Sequence, residues 1–264
     1  LGDPHIRTFD GFRYDCQGEG DFVLLKAVGD GGPVVHGRFD SFGYRGVSML
    51  TALAATEDDS SVVEIIQSVT ERTILIDGED YDDVGLSTVS GVTLFIDNNF
   101  VYMQFSSGLQ LFQFTMIRRS TFHADAVFVF APHNMPTVGL FGTNNGDFRD
   151  EWTSSSGATI TPRTGSVFES YFYCVLNWRA DDSLISSSGD RRLRDLQDEY
   201  TPPEIPDNVS DEVEANCGDN EECIFDSYVV GLELGAATLE ASDEFTEVLE
   251  TNTGEVCPEN TFSE

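Results

Sequence analysis

Basic side chains are scarce in this sequence and absent from its last quarter. The 264 residues include 14 Lys and Arg against 47 Asp and Glu, and the formal net charge is −33. Residues 195–264 contain 21 of the acidic residues and no Lys or Arg. Because binding to a phosphate backbone requires clustered cations, this composition argues against a nucleic-acid partner. An anionic membrane surface is disfavoured for the same reason, whereas a divalent cation suits such a chain.

Long apolar runs are also missing. A membrane-spanning helix needs about 20 consecutive apolar residues, and no stretch approaches that length, which predicts no direct membrane insertion. The chain starts at Leu1 and has no basic-then-apolar leader, which predicts a processed protein or an excised fragment. Hydrophobic residues make up 40% of the chain, so a folded core is expected.

Sequence motifs of catalysis are missing as well. The four histidines occur without a Gly-x-Ser-x-Gly or His-Glu-x-x-His pattern. The acidic clusters at 57–59 and 80–83 have the composition of solvated turns. We therefore predict a protein that is not an enzyme. A hydrolase is the rival class, because the two carboxylates of a glycosidase meet across a cleft that a sequence does not reveal.

Short strands and turns dominate residues 20–142. At least eight β-branched or aromatic runs follow one another, separated by turn signals such as Asp77-Gly78 and Ser106-Ser107-Gly108. The run Leu109-Gln110-Leu111-Phe112-Gln113-Phe114 mostly alternates between apolar residues and Gln, as expected for a strand with one solvent-exposed face. This pattern predicts a mainly β protein built as an antiparallel sandwich, with Cys174 on its last strand.

The composition changes towards the C-terminus. Residues 186–212 are rich in Ser, Pro, Asp and Glu, which predicts an acidic linker between a β domain at 1–185 and a small subdomain at 213–264. At helical spacing the apolar residues Ala241, Phe245 and Leu249 share one face, and acidic residues occupy the other. The subdomain is therefore predicted to be a helical, acidic cap.

Two motifs occur in order, about 135 residues apart. The first is Gly2-Asp3-Pro4-His5, followed by Phe9-Asp10-Gly11 and Tyr14, and the second is Gly139-Leu140-Phe141-Gly142-Thr143-Asn144-Asn145-Gly146-Asp147, followed by Asp150-Glu151. Together they resemble the von Willebrand factor type D domain, over residues 1–185. The resemblance implies an extracellular β-sandwich that acts in adhesion or filament assembly, with other extracellular protein chains, including copies of itself, as partners.

The second motif also has the composition of a calcium loop. Calcium takes about six to eight oxygen ligands from carboxylates, amides and main-chain carbonyls. The resemblance implies one structural Ca²⁺ held by Asp3, Thr143, Asn145, Asp147 (through its main-chain oxygen), Asp150 and Glu151. The sequence departs from the family pattern at Thr143, where the family has Asn, at Glu151, where it has a shorter carboxylate, and at Phe141, where it has Cys.

The first motif resembles a self-cleavage site in some members of the family, with the cut between Asp3 and Pro4. The Asp3 side chain attacks its own carbonyl, and the prolyl nitrogen leaves once it is protonated. His5 is a candidate proton donor, because the unperturbed pKa of a histidine lies near about 6.5. The alternative is an intact chain in which Asp3 serves as a calcium ligand.

The five cysteines predict disulfide bonds in an extracellular setting. By family resemblance, Cys16 pairs with Cys174. Cys217 and Cys223 enclose a short acidic loop and pair with each other in one arrangement, which leaves Cys257 free or bonded to another chain. In the other arrangement Cys217 pairs with Cys257.

Two processing signals lie near the predicted linker. Asn208-Val209-Ser210 is an N-glycosylation sequon, with Asn208 as the acceptor. Arg191-Arg192-Leu193-Arg194 is a dibasic run after which a secretory convertase would cut, at Arg194. The competing interpretation of these arginines is pairing with the neighbouring acids Asp190, Asp195 and Asp198.

Overall fold

The computed structural model describes residues 4–41, 47–58, 60–68, 71–98, 100–118, 123–162, 167–186 and 209–251. Every strand pair in these ranges is antiparallel, and the C-terminal part is helical with a disulfide between Cys217 and Cys223. The predicted fold class is therefore confirmed. The strands are β1 (His5–Arg7), β2 (Arg13–Asp15), β3 (Gly20–Ala27), β4 (Val34–Ser41), β5 (Ser48–Thr56), β6 (Val63–Gln67), β7 (Arg72–Ile76), β8 (Glu79–Asp80), β9 (Gly85–Val89), β10 (Val92–Ile96), β11 (Phe100–Gln104), β12 (Gln110–Arg118), β13 (His123–Phe130) and β14 (Thr137–Val138).

The strands form two large sheets and one small hairpin. One sheet has seven strands in the order β14-β3-β4-β5-β6-β7-β8, the other has five in the order β13-β12-β11-β10-β9, and β1 pairs with β2 alone. Most neighbours in space are neighbours in sequence, because short turns connect them. At the predicted Asp77-Gly78 turn both residues have positive φ, 53° and 83°, which matches the twist that a tight hairpin requires.

The core of the β domain contains side chains from alternate positions of both sheets. Val92, Leu94 and Ile96 on β10 point inwards, and they belong to the same buried cluster as Leu53 and Ile65 of the larger sheet. Burying one such side chain contributes about 1.5–3 kcal/mol, and this contribution is why the period-two pattern fixes which face of each strand points inwards.

Cys174 lies on a helix, so its predicted position on a last strand is wrong. Helix α1 runs from Val167 to Asn177, and Cys174 forms a disulfide with Cys16 across a Cα–Cα distance of 6.0 Å. Tyr173 and Cys174 are buried, whereas Phe172 and Leu176 are exposed. The aromatic and β-branched composition of this segment favours a strand, but one buried helical face decides its structure.

The acidic cluster at 57–59 is only partly solvated, and the prediction of a solvated turn is wrong for Glu57. Glu57 is 6% exposed, and its carboxylate accepts hydrogen bonds from Ser106 Oγ and Ser107 N, both at 3.1 Å. It therefore links the end of β5 in the larger sheet to the β11–β12 hairpin of the smaller one. A buried charge with such partners is not distinguishable from a surface charge in the sequence alone.

Residues 178–186, which we call the strap, begin beside β3 and end on the outer face of the seven-stranded sheet. The strap begins with hydrogen bonds from Val23 N to Trp178 O and from Ala180 N to Asp21 O. Further along, Ile185 packs on Ala52 and Ala54, whose side chains lie on the face opposite the core. Small side chains on β5 leave the space in which the strap lies.

Two polar side chains fasten the end of the strap. His36 Nδ1 accepts a hydrogen bond of 3.1 Å from Leu184 N. The Glu64 carboxylate accepts two from Ser186, from its main-chain nitrogen at 3.0 Å and its hydroxyl at 2.6 Å. His36 and Glu64 both pair with Ala54 in the strand register, so all three lie in one row on this face.

The chain divides into two compact units, residues 1–204 and 205–264. The second unit contains α2 (Asp211–Cys217), α3 (Glu221–Val229) and α4 (Leu232–Thr251). Ser210 and Asn220 cap the first two helices, and their side chains accept from Val213 N and Cys223 N. Within the described part of the chain, no helix combines the length and apolar character that crossing a membrane requires.

We expect the strap to make folding stability depend on pH through His36. Burial is the main cause that lowers the pKa of His36, with Lys26 acting in the same direction and Asp21 opposing it. The unfolded chain therefore binds this proton first, so the contribution of His36 is complete above about pH 6.5 and is lost as the pH falls. The His36→Asn side chain offers an acceptor that does not titrate. On acidification to about pH 5 this variant should lose about 1 kcal/mol less folding stability than the original chain, or about 3 °C less in Tm.

The measurement is calorimetric Tm as a function of pH. The matched control is His133→Asn, because His133 is an exposed histidine, and this variant should lose as much stability on acidification as the original chain. If His36→Asn and the control lose equal stability on acidification, the hydrogen bond of His36 to the strap does not contribute to the pH dependence of stability.

Candidate metal centre

The loop of the second motif is bound to the main chain of β3. Leu140 N donates to Val23 O at 3.0 Å, and Phe141 N donates to Leu24 O at 2.9 Å. Gly139 has a φ of +130°, and a Cβ there would lie 2.6 Å from Leu24 O. Only glycine allows this approach, so the first Gly of the motif sets where the loop begins.

The hairpin of the first motif contacts the same loop. Tyr14 Oη donates to Leu140 O at 2.5 Å, and Phe9 N donates to Phe141 O at 3.1 Å. Burial raises the pKa of Tyr14 well above its usual value, so the hydroxyl remains a donor. These bonds bring together two motifs that are far apart in the sequence.

Aromatic rings fill the space behind the loop. Trp152 stacks on Tyr173 of α1 with ring centroids 4.4 Å apart and an angle of 4° between the planes. Tyr14 contacts both rings edge-on, at 5.5 and 5.6 Å. The disulfide between Cys16 and Cys174 joins the segment that contains Tyr14 to helix α1, which contains Tyr173. This packing fixes the position of Glu151, which immediately precedes Trp152.

Four of the six predicted ligands have side chains in direct contact. Thr143 Oγ1 lies 3.0 Å from Asp150 Oδ1 and 3.0 Å from Glu151 Oε1. Asn145 Nδ2 donates to Asp150 Oδ2 at 2.9 Å. The Thr143 hydroxyl has a single proton, so it donates to one of its two carboxylate neighbours at a time.

The side chain of Asp147 points elsewhere. Its two carboxylate oxygens pair with Arg149, at 2.6 Å to both Nε and Nη2, and this pair lowers the pKa of Asp147 to about 2. The main-chain oxygen of Asp147 accepts a hydrogen bond from Asp150 N at 3.3 Å. The carboxylate is thus paired with Arg149, and the main-chain carbonyl is bonded to Asp150 N within the loop.

Glu151 is the most constrained group of the site. It is 1% exposed, and its Oε2 atom is buried with no hydrogen-bond partner. Burial raises the pKa of Glu151 to about 8, and the nearby Asp10 carboxylate acts in the same direction, against hydrogen bonds from Thr8 and Thr143. A buried carboxylate with an unpaired oxygen is costly unless a cation or a proton compensates it.

Asp10 belongs to the first motif, and the sequence pattern did not predict its contact with the loop. Its Oδ2 accepts hydrogen bonds from Asn145 N at 3.1 Å and from Gly146 N at 2.9 Å. It thereby holds the tip of the loop from the first motif. The sequence feature that could have predicted this role is the Asp10-Gly11 pair. An Asp before a Gly favours a turn in which the carboxylate accepts hydrogen bonds from main-chain amides.

The donor set fits a hard divalent cation, although the described side chains do not complete a cage. Thr143, Asn145, Asp150, Glu151 and the Asp147 carbonyl are all oxygen donors of the kind that calcium takes. Among the described residues, no group of three or more His, Cys, Asp and Glu side chains by itself forms a metal site. Asp3, the remaining predicted ligand, lies outside the described residues.

Other predicted residues lie around or beyond this centre. His5 Nδ1 is 2.6 Å from Asp15 Oδ1, and Pro4 O accepts from Cys16 N at 3.0 Å. Ser210 of the sequon caps α2. The sites at Asn208 and Arg194 and the cysteine Cys257 fall outside the described residues. Because Cys217 is bonded to Cys223, its alternative pairing with Cys257 is wrong.

The structure gives the rival hydrolase little support. Among the described carboxyl groups, Glu151 has a raised pKa, as a catalytic acid would. It is also 1% exposed and faces Gly142, so a substrate does not reach it. A protein without enzymatic activity stays our prediction.

Replacing Gly142 should test how tightly the loop closes over Glu151. Gly142 has a φ of +76°, and a Cβ there would lie 1.9 Å from Glu151 Oε2. Gly142→Ala should therefore cost about 1–2 kcal/mol for the left-handed backbone and about 1–3 kcal/mol for the clash. The measurement is the free energy of unfolding in urea.

Gly157→Ala is the matched control. Gly157 has a φ of +81°, and a Cβ there would meet nothing within 4 Å. It should cost the backbone strain alone, so a Gly142→Ala variant no less stable than Gly157→Ala would contradict the close contact with Glu151.

Comparison with known proteins finds two matching families and several longer relatives. The family model described as the von Willebrand factor type D domain matches residues 1–158, and the one described as the Mucin-4-like C8-3 domain matches residues 203–251. The chain is 27% identical to human Mucin-4, an alignment that covers 93% of this chain and 5% of Mucin-4. It is 26% identical to human Sushi domain-containing protein 2, with 90% of this chain and 31% of that protein covered, and 23% identical to Protein mesh of Bombyx mori, with 69% and 13% covered. The chain thus spans less than a third of the length of each of these relatives.

Proposed function

The chain belongs to the von Willebrand factor type D family, and on that premise we propose that it is an extracellular structural module, stabilised by one calcium ion, that contributes to adhesion or assembly. Its relatives are much longer proteins, which suits a module that works within a larger chain. Its partners in this proposal are other extracellular protein chains, including copies of itself.

The single observation that carries the calcium proposal is the buried Glu151 carboxylate. Its Oε2 has no hydrogen-bond partner, and Asp10 and Asp150 add further negative charge beside it. A bound cation compensates this charge, whereas an uncharged turn would not need one. Thr143, Asn145, Asp150, Glu151 and the Asp147 carbonyl would hold the ion, together with Asp3.

The chemistry of the ion in this proposal is structural rather than catalytic. Calcium would hold both motifs, because Asp3 belongs to the first and the other ligands belong to the second. A cation that binds the folded chain and not the unfolded one stabilises the fold by mass action. The chain's own residues, chiefly Tyr14, Asp10 and Glu151, keep the two segments in register for it.

Removal and return of calcium test the proposal. The EDTA-treated chain should melt at a lower temperature, and calcium at about 100 times its Kd should restore about 2.7 kcal/mol of stability. In Glu151→Gln the buried charge is gone, so the metal-free variant should be at least as stable as the original chain and should respond little to calcium. Calorimetric Tm and titration calorimetry give the two readouts.

Asp182→Asn is the control, because Asp182 is an exposed carboxylate in the strap and is not one of the predicted ligands. It should keep the full calcium response. An original chain that shows neither binding heat nor a shift in Tm with calcium would overturn the proposal.

Self-cleavage between Asp3 and Pro4 is the second candidate function. The observation that favours it is the hydrogen bond between His5 Nδ1 and Asp15 Oδ1, which fixes the imidazole in the residue next to Pro4. A held imidazole is suited to deliver a proton to the prolyl nitrogen.

Incubation at about pH 5.5, below the ordinary histidine pKa, should release residues 1–3 over time. The measurement is intact mass, and Asp15→Asn should slow the release because its amide holds the imidazolium less well. Asp182→Asn again serves as the control. A chain whose mass stays unchanged after prolonged incubation would exclude this function.

A further inference from the structure

The outer face of the five-stranded sheet carries aromatic side chains on four of its five strands. The strand register aligns one residue from each of β9 to β13 in a single row, and these are Leu86, Phe95, Tyr102, Phe112 and Phe128. Their sequence neighbours Leu94, Met103 and Leu111 are fully buried in the core, so the row lies on the opposite side of the sheet. We call this row the aromatic row.

The rings of this face are held by one another. Tyr102 and Phe112 have ring centroids 4.7 Å apart, and Phe112 contacts Phe130 edge-on at 5.6 Å. The rings of the aromatic row are half-buried, and Leu86 at its end is 67% exposed. Neighbouring rings already restrict the rotation of these side chains. The binding of a ligand that stacks on them therefore costs little side-chain entropy.

A second row of neutral polar side chains lies beside the first. The register aligns Thr88, Thr93, Gln104 and Gln110 on β9 to β12, on the same face. Tyr102 Oη donates to Gln104 Oε1 at 2.9 Å and so links the two rows. Neither row contains a charged residue, although charged residues are common elsewhere in the chain.

Charge and area decide which partner this face fits. The two rows contain no charged side chain that would pair with a charged partner, so an uncharged partner complements them. The aromatic row crosses five strands and the polar row four, so together they span at most about 19 Å by about 7 Å. This strip is well below the area of about 800 Å² that each partner buries in a stable protein interface. A long, narrow and uncharged strip suits a thin, uncharged chain.

We propose that the two rows bind a neutral oligosaccharide that lies across the five strands. The C–H face of a sugar ring is apolar and stacks on an aromatic ring, while its hydroxyl groups exchange hydrogen bonds with amide and hydroxyl side chains. The aromatic row supplies the first contact, and Thr88, Thr93, Gln104 and Gln110 supply the second. The site is independent of the calcium loop, so it stands or falls separately from the proposed function.

Titration calorimetry with the full chain tests the proposal. The probes are neutral hexasaccharides of β-linked glucose, of β-linked N-acetylglucosamine and of N-acetyllactosamine units. At least one should bind, and Phe112→Leu should weaken it about tenfold or more, because a leucine keeps apolar volume but has no ring to stack on. Gln110→Leu should also weaken binding, because it removes hydrogen bonds and adds apolar area.

Val28→Ala is the matched control. Val28 is 59% exposed and lies between β3 and β4 of the other sheet, outside both rows, so its removal should leave oligosaccharide binding within about twofold of the original. The Tm of each variant checks that the sheet is intact.

Three results would overturn the proposal. The first is that none of the three probes binds at millimolar concentration. The second is that Phe112→Leu or Gln110→Leu binds the probe as well as the original chain does. The third is that sedimentation shows copies of the chain associating through this face, with the association lost in Phe112→Leu, which would make the occupant a second copy.

Discussion

The burial of the Glu151 carboxylate is the constraint on which the rest of the loop at 139–151 depends. Its Oε2 lies where a side chain on residue 142 would be, so that position has to be glycine. Its other oxygen contacts Thr143, and its charge lies near Asp10 of the N-terminal hairpin. A carboxylate in this position costs free energy unless it is compensated. In our proposal a structural cation neutralises this charge, at a centre to which both motifs contribute oxygen donors.

The two large sheets pack face to face but differ in what lies on their outer sides. On the seven-stranded sheet, small alanines on β5 allow the strap to lie flat, and His36 and Glu64 bind its main chain. On the five-stranded sheet, aromatic and neutral amide side chains form two ordered rows. The first surface is thus completed by the chain itself, whereas the second has the chemistry of a binding surface for an uncharged ligand.

Much of the fold was predictable from the sequence because sandwich strands alternate. The run at 109–114 alternates as β12 does, and the Asp77-Gly78 turn has the backbone that its residues favour. Cys174 was misplaced because a segment rich in aromatic residues satisfies the same composition rule as a strand, although it is a helix with one buried face. The solvated turn predicted at Glu57 was wrong for a similar reason, since the partners of its carboxylate come from residues 106 and 107.

The sequence by itself determined the family, the β class, the helical end and the residue types of the loop at 143–151. These follow from local patterns, which a chain carries along its length. Only the tertiary structure decided that Asp10 caps the loop across 135 residues of sequence and that the Glu57 carboxylate accepts from Ser106 and Ser107. It alone also aligned the aromatic row across five strands. The physical reason is that burial, charge proximity and strand register are properties of packed neighbours, and neighbours in space are set by the whole core rather than by any one segment.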